Sequence, residues 1–207
     1  MLKMGIITGF LSQTKDRFHE YNQPLAVEEK FNLMRQIEGY DGVEIVYPYE
    51  VKDPAQTRAI LDQFGLNVAA VNVNVKAEPE FRNGGLTSHN PDVRVKAVRF
   101  IKGAKDFAAG VGADKVTCCP LGDGYEFSFQ YDYARTWKYL VDTFGEAGAH
   151  RSEIPLFVEY KPSETRGRCF VDTAAKALCL LNDIQNKDIQ SCPVEFVGTF
   201  APFTKFT

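Results

Sequence analysis

The stretch Pro155-Leu-Phe-Val-Glu-Tyr-Lys-Pro-Ser-Glu-Thr-Arg-Gly-Arg-Cys-Phe170 begins as a short β-rich run and continues as a polar loop. Side chains alternate between the two faces of a strand, so Glu159 and Lys161 share one face at the carboxyl end of this run. A buried charge costs several kcal/mol unless it is paired or bound to a metal ion. Two interpretations stay open at this point: the two side chains neutralise each other, or they belong to a functional site.

The rest of the chain repeats this alternation of short apolar runs with longer helical segments. Compact apolar and β-branched runs are typical of parallel strands that are covered by helices. Strands are predicted over residues 4–10, 42–47, 67–75, 114–119 and 155–160, with a less regular one over 193–197. The strand–helix–strand order predicts a parallel sheet with right-handed crossovers.

Several helix ends carry recognisable signals. Asp53 and Asn90 are each followed by Pro, which is typical of an N-cap and a first helical turn. Gly65 is typical of the stop after the first of these helices. Further helices are predicted over 132–147 and after Asp172, which is predicted to be an N-cap.

The loops indicate where function should lie. Segments that lead from helix to strand are short, whereas those from strand to helix are long: 76–90, 120–131 and 161–171. Long polar loops after the strands place a site at the carboxyl ends of the sheet. Arg82-Asn-Gly-Gly85 and Gly122-Asp-Gly124 lie in two of these loops, match no phosphate-binding fingerprint, and are expected to use glycine for positive φ.

Residues 159–167, Glu-Tyr-Lys-Pro-Ser-Glu-Thr-Arg-Gly, resemble the Glu-Pro-Lys-Pro-x-Glu-Pro-Arg-Gly segment of xylose isomerases. Asp41-Gly-Val-Glu44, Val71-Asn-Val-Asn74 and Gly112-Ala-Asp-Lys115 extend the resemblance to the xylose-isomerase-like sugar isomerases and epimerases. The resemblance covers about residues 4–183. It implies an α/β fold, namely a (β/α)-barrel of TIM type.

The resemblance also implies a reaction. Glu159 would be a catalytic carboxylate and metal ligand, and Lys161 would reach the substrate oxygens and polarise the carbonyl. The family's metal is a hard divalent ion such as Mg²⁺ or Mn²⁺. The chemistry would be aldose–ketose interconversion, by hydride shift or by proton transfer between carboxylate bases, and the sequence leaves both open.

Four further residues are candidates for substrate binding. Glu44 ends the second strand and could be a substrate or base residue, although a helix-capping or loop ion pair explains it equally well. Asn72 and Asn74 share a face of the third strand and could bind sugar hydroxyls; buried amides satisfied by backbone are the alternative. Arg82, in the loop that follows, is assigned to the substrate as well.

The length of the chain bears on whether the barrel closes. The 207 residues are predicted to form a single domain over 1–207, with an atypical tail over 190–207. A complete barrel takes ~250 residues, so five to six of eight βα units are expected, without the C-terminal strands.

In the family that this chain resembles, further metal ligands, including a carboxylate and a histidine, lie on the strands after the fifth. No histidine follows His150, and Glu195 is the only hint of the carboxylate, so loss of the metal is left open. Open sheet edges predict homo-oligomers.

Composition narrows the possible partners. The net charge is −3 with both signs interspersed, which disfavours a nucleic-acid or anionic-membrane surface. No run approaches the ~20 apolar residues that span a bilayer, and the N-terminus is typical of a strand rather than a signal peptide. A DNA-repair endonuclease of the same superfamily would need a basic groove and more histidine ligands. A cytoplasmic protein with a small-molecule sugar partner is expected.

Two functions remain after these observations. The first is a metal-dependent sugar or sugar-phosphate isomerase or epimerase of carbohydrate metabolism. The second is a truncated, non-catalytic relative that at most binds a carbohydrate. Replacement of Glu159 by Gln should abolish metal dependence and turnover in the first case and change little in the second.

Overall fold

The computed structural model describes residues 4–15, 19–51, 53–163, 165–186 and 194–198. Its central feature is one parallel sheet in which neighbouring strands follow one another in chain order. The strands are β1 (Gly5–Ile7), β2 (Gly42–Tyr47), β3 (Val68–Val73), β4 (Val116–Cys118), β5 (Leu156–Tyr160) and β6 (Val194–Gly198). Every adjacent pair is parallel, as the strand–helix–strand pattern predicts.

One helix separates each strand from the next. The helices are α1 (Val27–Met34), α2 (Pro54–Phe64), α3 (Pro91–Val111), α4 (Tyr133–Ala149) and α5 (Ala174–Gln185). Five βα units and a sixth strand therefore confirm the predicted part of a TIM-type barrel. Within the described ranges, no helix has the length and apolar character needed to cross a membrane.

Helix ends follow the predicted signals in most places. The Asp53 side chain accepts a hydrogen bond from the Gln56 amide at 2.6 Å, and Gly65 ends the same helix with φ of 65°. The prediction for Asp172 is wrong. Thr173 is the N-cap of α5, because its extended backbone lets the hydroxyl accept from the Lys176 amide at 3.3 Å.

Two local features depart from the predictions. The first strand ends at Ile7, and Thr8–Leu11 continue as a 3-10 helix. The helix α1 was not predicted because its N-cap, Ala26, has no side-chain oxygen. The Glu29 carboxylate instead accepts from the Ala26 amide at 2.7 Å.

Alternation along the strands separates an apolar face from a polar one. Eight buried apolar positions of β2 to β5 belong to the main core: Val43, Ile45, Val71, Val73, Val116, Cys118, Leu156 and Val158. Large helix side chains such as Phe31, Ile101 and Phe144 complete that core. The intervening strand positions point to the other face of the sheet, where the polar candidates lie.

Candidate active site at the carboxyl ends of the strands

A buried polar layer crosses three neighbouring strands. Glu44 of β2 is 9% exposed, and its Oε1 accepts from Asn72 Nδ2 of β3 at 2.9 Å and from Thr117 Oγ1 of β4 at 2.5 Å. Asn72 and Thr117 pair in register, and Asn72 Nδ2 lies 3.0 Å from Thr117 Oγ1. Hydrogen bonds offset the cost of burying this carboxylate and amide. We call this group the strand layer: Glu44, Asn72 and Thr117.

The strand layer joins two predicted residues to one that the sequence did not single out. Glu44 and Asn72 are brought together as neighbours, while a lone Thr117 in an apolar run looks like an ordinary strand residue. The available signal was its position: it occupies the inner face of β4, level with Asn72 on one side and with Phe157 on the other.

Glu159 and Lys161 lie at the carboxyl end of β5, on the same face as Phe157. Because Phe157 is level with Thr117, Glu159 lies one pleat nearer the carboxyl edge than the strand layer. Both side chains are half-buried. The Lys161 amide donates to the Val171 carbonyl at 3.0 Å, which anchors the chain as it leaves the strand.

The Cys119 thiol lies near enough to Glu159 and Lys161 for both charges to affect its pKa. Burial raises the pKa of Cys119 well above its usual value, and the negative charge of Glu159 raises it further, whereas Lys161 acts in the opposite direction. Cys119 follows β4 directly. The carboxylate, the ammonium group and the thiol therefore share one electrostatic environment at the ends of β4 and β5.

The other two substrate-binding candidates are placed differently. Asn74 Oδ1 accepts from the Lys76 and Ala77 amides at 3.0 and 3.1 Å, which forms a turn after β3. Arg82 is exposed in the 3-10 helix Pro79–Asn83. The structure does not join either to the strand layer, and their roles in substrate binding stay predictions.

Three long loops meet above this edge of the sheet. We call them the β3 loop (74–90), the β4 loop (119–132) and the β5 loop (161–173). Gly124–Tyr125 and Arg168–Cys169 pair as a short antiparallel ribbon between the β4 and β5 loops. A Cβ on Gly124 would lie 2.1 Å from the Arg168 carbonyl oxygen, so close approach requires glycine there. The positive φ that was expected in these loops is found at Gly84, at 97°, and at neither Gly122 nor Gly124.

The described residues do not complete a metal site. In the part of the chain that the structure describes, no three His, Cys, Asp or Glu side chains are grouped so as to hold a metal ion. Glu159 offers one carboxylate, which is fewer ligands than a hard divalent ion takes. Glu195 lies on β6, in register with Phe157 of β5. Metal ligation by Glu159 stays a prediction.

Comparison with known proteins identifies the family. The xylose isomerase-like TIM barrel family matches residues 31–193. The chain belongs to this family. Xylose isomerases of Thermus caldophilus and Thermus thermophilus are 27% and 26% identical to it over 132 residues, which are 62% of this chain. The chain spans 34% of the length of each.

Solved structures give the same fold. The 3-keto-D-glucoside 4-epimerase of E. coli matches 96% of this chain with a TM-score of 0.65 and 18% identity, and 68% of that enzyme is covered. An L-ribulose 3-epimerase matches 96% of the chain with a TM-score of 0.64 and 19% identity, with 60% of it covered. A D-tagatose 3-epimerase-like protein matches with a TM-score of 0.68 at 17% identity; 95% of this chain and 64% of that one are covered. These likenesses confirm the fold class, and the family match confirms the resemblance.

Proposed function

We propose that this protein is a metal-dependent isomerase or epimerase that acts on a sugar or sugar phosphate by aldose–ketose interconversion. One observation carries the proposal: Glu159 and Lys161 leave β5 on its inner face, beside the buried strand layer, in a member of the xylose-isomerase-like family. The names of the relatives, xylose isomerase and several sugar epimerases, support sugar chemistry.

Each candidate residue has a separate role in the proposed reaction. Lys161 brings a positive charge to the substrate carbonyl, where a low-dielectric setting strengthens its effect on developing negative charge. Glu159 serves as a catalytic carboxylate, and Glu44 and Asn72 orient sugar hydroxyls from the strand layer. Asn74 and Arg82 contact the substrate from the β3 loop.

The metal part of the proposal rests on the family resemblance. A bound Mg²⁺ or Mn²⁺ would supply Lewis-acid polarisation of the substrate. Glu159 would be one ligand, and the remaining ligands would lie outside the described residues. The proposal includes a cytoplasmic location, a small-molecule sugar partner, no nucleic-acid or membrane partner, and homo-oligomers formed through sheet edges.

The first test is a thermal melt with and without millimolar Mn²⁺. We expect Mn²⁺ to raise the melting temperature of the wild-type protein, because a ligand that binds only the folded state stabilises it. Glu159→Gln should lose that rise. Glu146→Gln is the matched control, since the Glu146 carboxylate lies on the surface in an ion pair with Lys102 at 2.7 Å. A rise that persists in Glu159→Gln would remove Glu159 from the metal site.

A second candidate function is a carbohydrate-binding relative without turnover. The lack of a three-ligand group among the described residues favours it. A screen of aldoses and ketoses distinguishes the two: product formation supports the isomerase, whereas calorimetric sugar binding that is unchanged in Lys161→Met and yields no product supports the binding protein.

A further inference from the structure

A buried carboxyl group connects the β4 loop to the β3 loop. Asp123 is fully buried, and its Oδ1 accepts from the Thr87 amide at 2.7 Å and from the Thr87 hydroxyl at 2.6 Å. The other oxygen, Oδ2, is equally buried and has no hydrogen-bond partner among the described residues. A buried acceptor without a partner is costly, and more so when it carries a charge.

The β5 loop closes on the same point. The Phe170 amide donates to the Asp123 carbonyl at 3.0 Å. Arg166, 6% exposed, donates from Nη1 to the Arg82 carbonyl at 2.9 Å, which ties the β5 loop to the β3 loop. Its Nη2 has no hydrogen-bond partner in the described ranges. Asp123 and Arg166 therefore hold all three loops together, yet they attract each other without a direct bond.

The packing around Asp123 leaves little room. A Cβ on Gly84 would lie 2.5 Å from Thr87 Oγ1 and 3.0 Å from Asp123 Oδ1. A Cβ on Gly167 would lie 2.6 Å from the carboxylate of Glu126. Gly84 lets the β3 loop approach the Asp123 carboxyl group closely, and Gly167 lets the β5 loop approach Glu126 of the β4 loop. Because Asp123 is fully buried, water reaches its carboxyl group only when the loops separate.

Burial raises the pKa of Asp123 from its ordinary 3.8 to about 6, against the opposing effects of the Thr87 hydrogen bonds, of the nearby Leu86 backbone and of the Arg166 charge. The charged and titratable groups around it are Arg166, then Glu126 beyond the guanidinium group, and Cys118 at the end of β4. When the loops are closed, Asp123 keeps its proton up to about pH 6; when it is exposed, the proton leaves near pH 4. Closure is thus strongest in acid and weakens as pH rises between these values.

We propose that Asp123 is a proton-operated latch: its neutral carboxyl group holds the β4 loop against the β3 loop, its main-chain carbonyl holds the β5 loop at the same point, and loss of the proton favours opening of the three loops over the candidate active site. The latch stands on the contacts between the loops and goes beyond the proposed reaction. Its consequence for catalysis rests on the proposed function, because the β5 loop begins at Lys161 and opening would expose that side chain.

Amide hydrogen exchange of the full chain, without sugar or metal, tests the latch. After correction for the intrinsic pH dependence of exchange, the opening constant at the amides of Thr87 and Phe170 should rise roughly a hundredfold from pH 4 to pH 7. Asp123→Asn keeps an oxygen acceptor but cannot ionise, so exchange should stay slow and independent of pH. Asp114→Asn, at an exposed carboxylate, should behave as wild type.

A second variant guards against an effect of misfolding. Thr87→Val removes only the hydroxyl donor, and the pH at which the loops open should move upward because the carboxylate loses a stabilising bond. A wild-type opening constant that is flat with pH, or a rise confined to Thr87 without Phe170, would overturn the proposal. Neither readout involves turnover, so an inactive protein with a working latch and an active protein without one give different results.

Discussion

Two buried carboxyl groups, those of Glu44 and Asp123, lie near the candidate active site and differ in their hydrogen bonds and in the elements that hold them. Glu44 lies between strands, where Asn72 and Thr117 both donate to its Oε1. Asp123 lies between loops, where Thr87 provides two hydrogen bonds to one oxygen, and the other oxygen has no partner among the residues that the structure describes. The first is held by a sheet whose strands cannot separate without unfolding, whereas the second is held by segments that can part locally.

The difference suggests separate roles. A satisfied carboxylate in a rigid frame suits a group that must present a fixed geometry to a substrate. A buried carboxyl group with one unpartnered oxygen and a raised pKa favours the closed loops only while it is protonated. The strand layer is therefore expected to respond to mutation through global stability, and Asp123 through pH.

The largest expected effect is the loss of the Glu44 side chain. Glu44→Ala leaves the Asn72 amide and the Thr117 hydroxyl without their shared acceptor and opens a cavity, so the free energy of unfolding should fall by about 4 kcal/mol. Urea denaturation measures it. Glu44→Gln is the matched control, because its side-chain carbonyl can still accept both bonds, and it should lose less than half as much. Equal losses in the two variants would mean that charge, not hydrogen bonding, holds the layer.

The second prediction concerns pH and Asp123. Below about pH 4 both the folded and the unfolded chain hold this proton; between about pH 4 and 6 only the folded chain does; above that neither does. Wild-type stability relative to Asp123→Asn should therefore fall by about 3 kcal/mol as pH rises through this window and then stay level. Urea titrations at pH 4 and pH 7 give the difference. Parallel stability curves for the two proteins would contradict the raised pKa.

The sequence predicts the strand layer around Glu44 better than it predicts the surroundings of Asp123. Strand alternation predicted that Asn72 lies on one face of the third strand, because side chains alternate with a period of two. The prediction that Glu44 ends the second strand is wrong, because β2 continues for three residues beyond Glu44, to Tyr47. Thr117 was missed because one threonine in an apolar run is common. Nothing local marks Asp123: its partners are Thr87 and Arg166, each roughly forty residues away along the chain. The glycines beside it were noticed, but their close contacts depend on tertiary packing.

The smallest effect tests how finely the strand layer is balanced. Thr117→Val keeps the shape of the side chain but removes one donor to Glu44 Oε1 and one acceptor of Asn72 Nδ2. Because Asn72 Nδ2 still donates to Glu44, unfolding should become easier by only about 1 kcal/mol. The matched control is Thr136→Val on α4, because the Thr136 hydroxyl is buried without a hydrogen-bond partner among the described residues. Its removal should be neutral or slightly stabilising. Were both variants to lose the same amount, packing alone would explain the cost, and the hydrogen bond from Thr117 would carry no weight in holding Glu44.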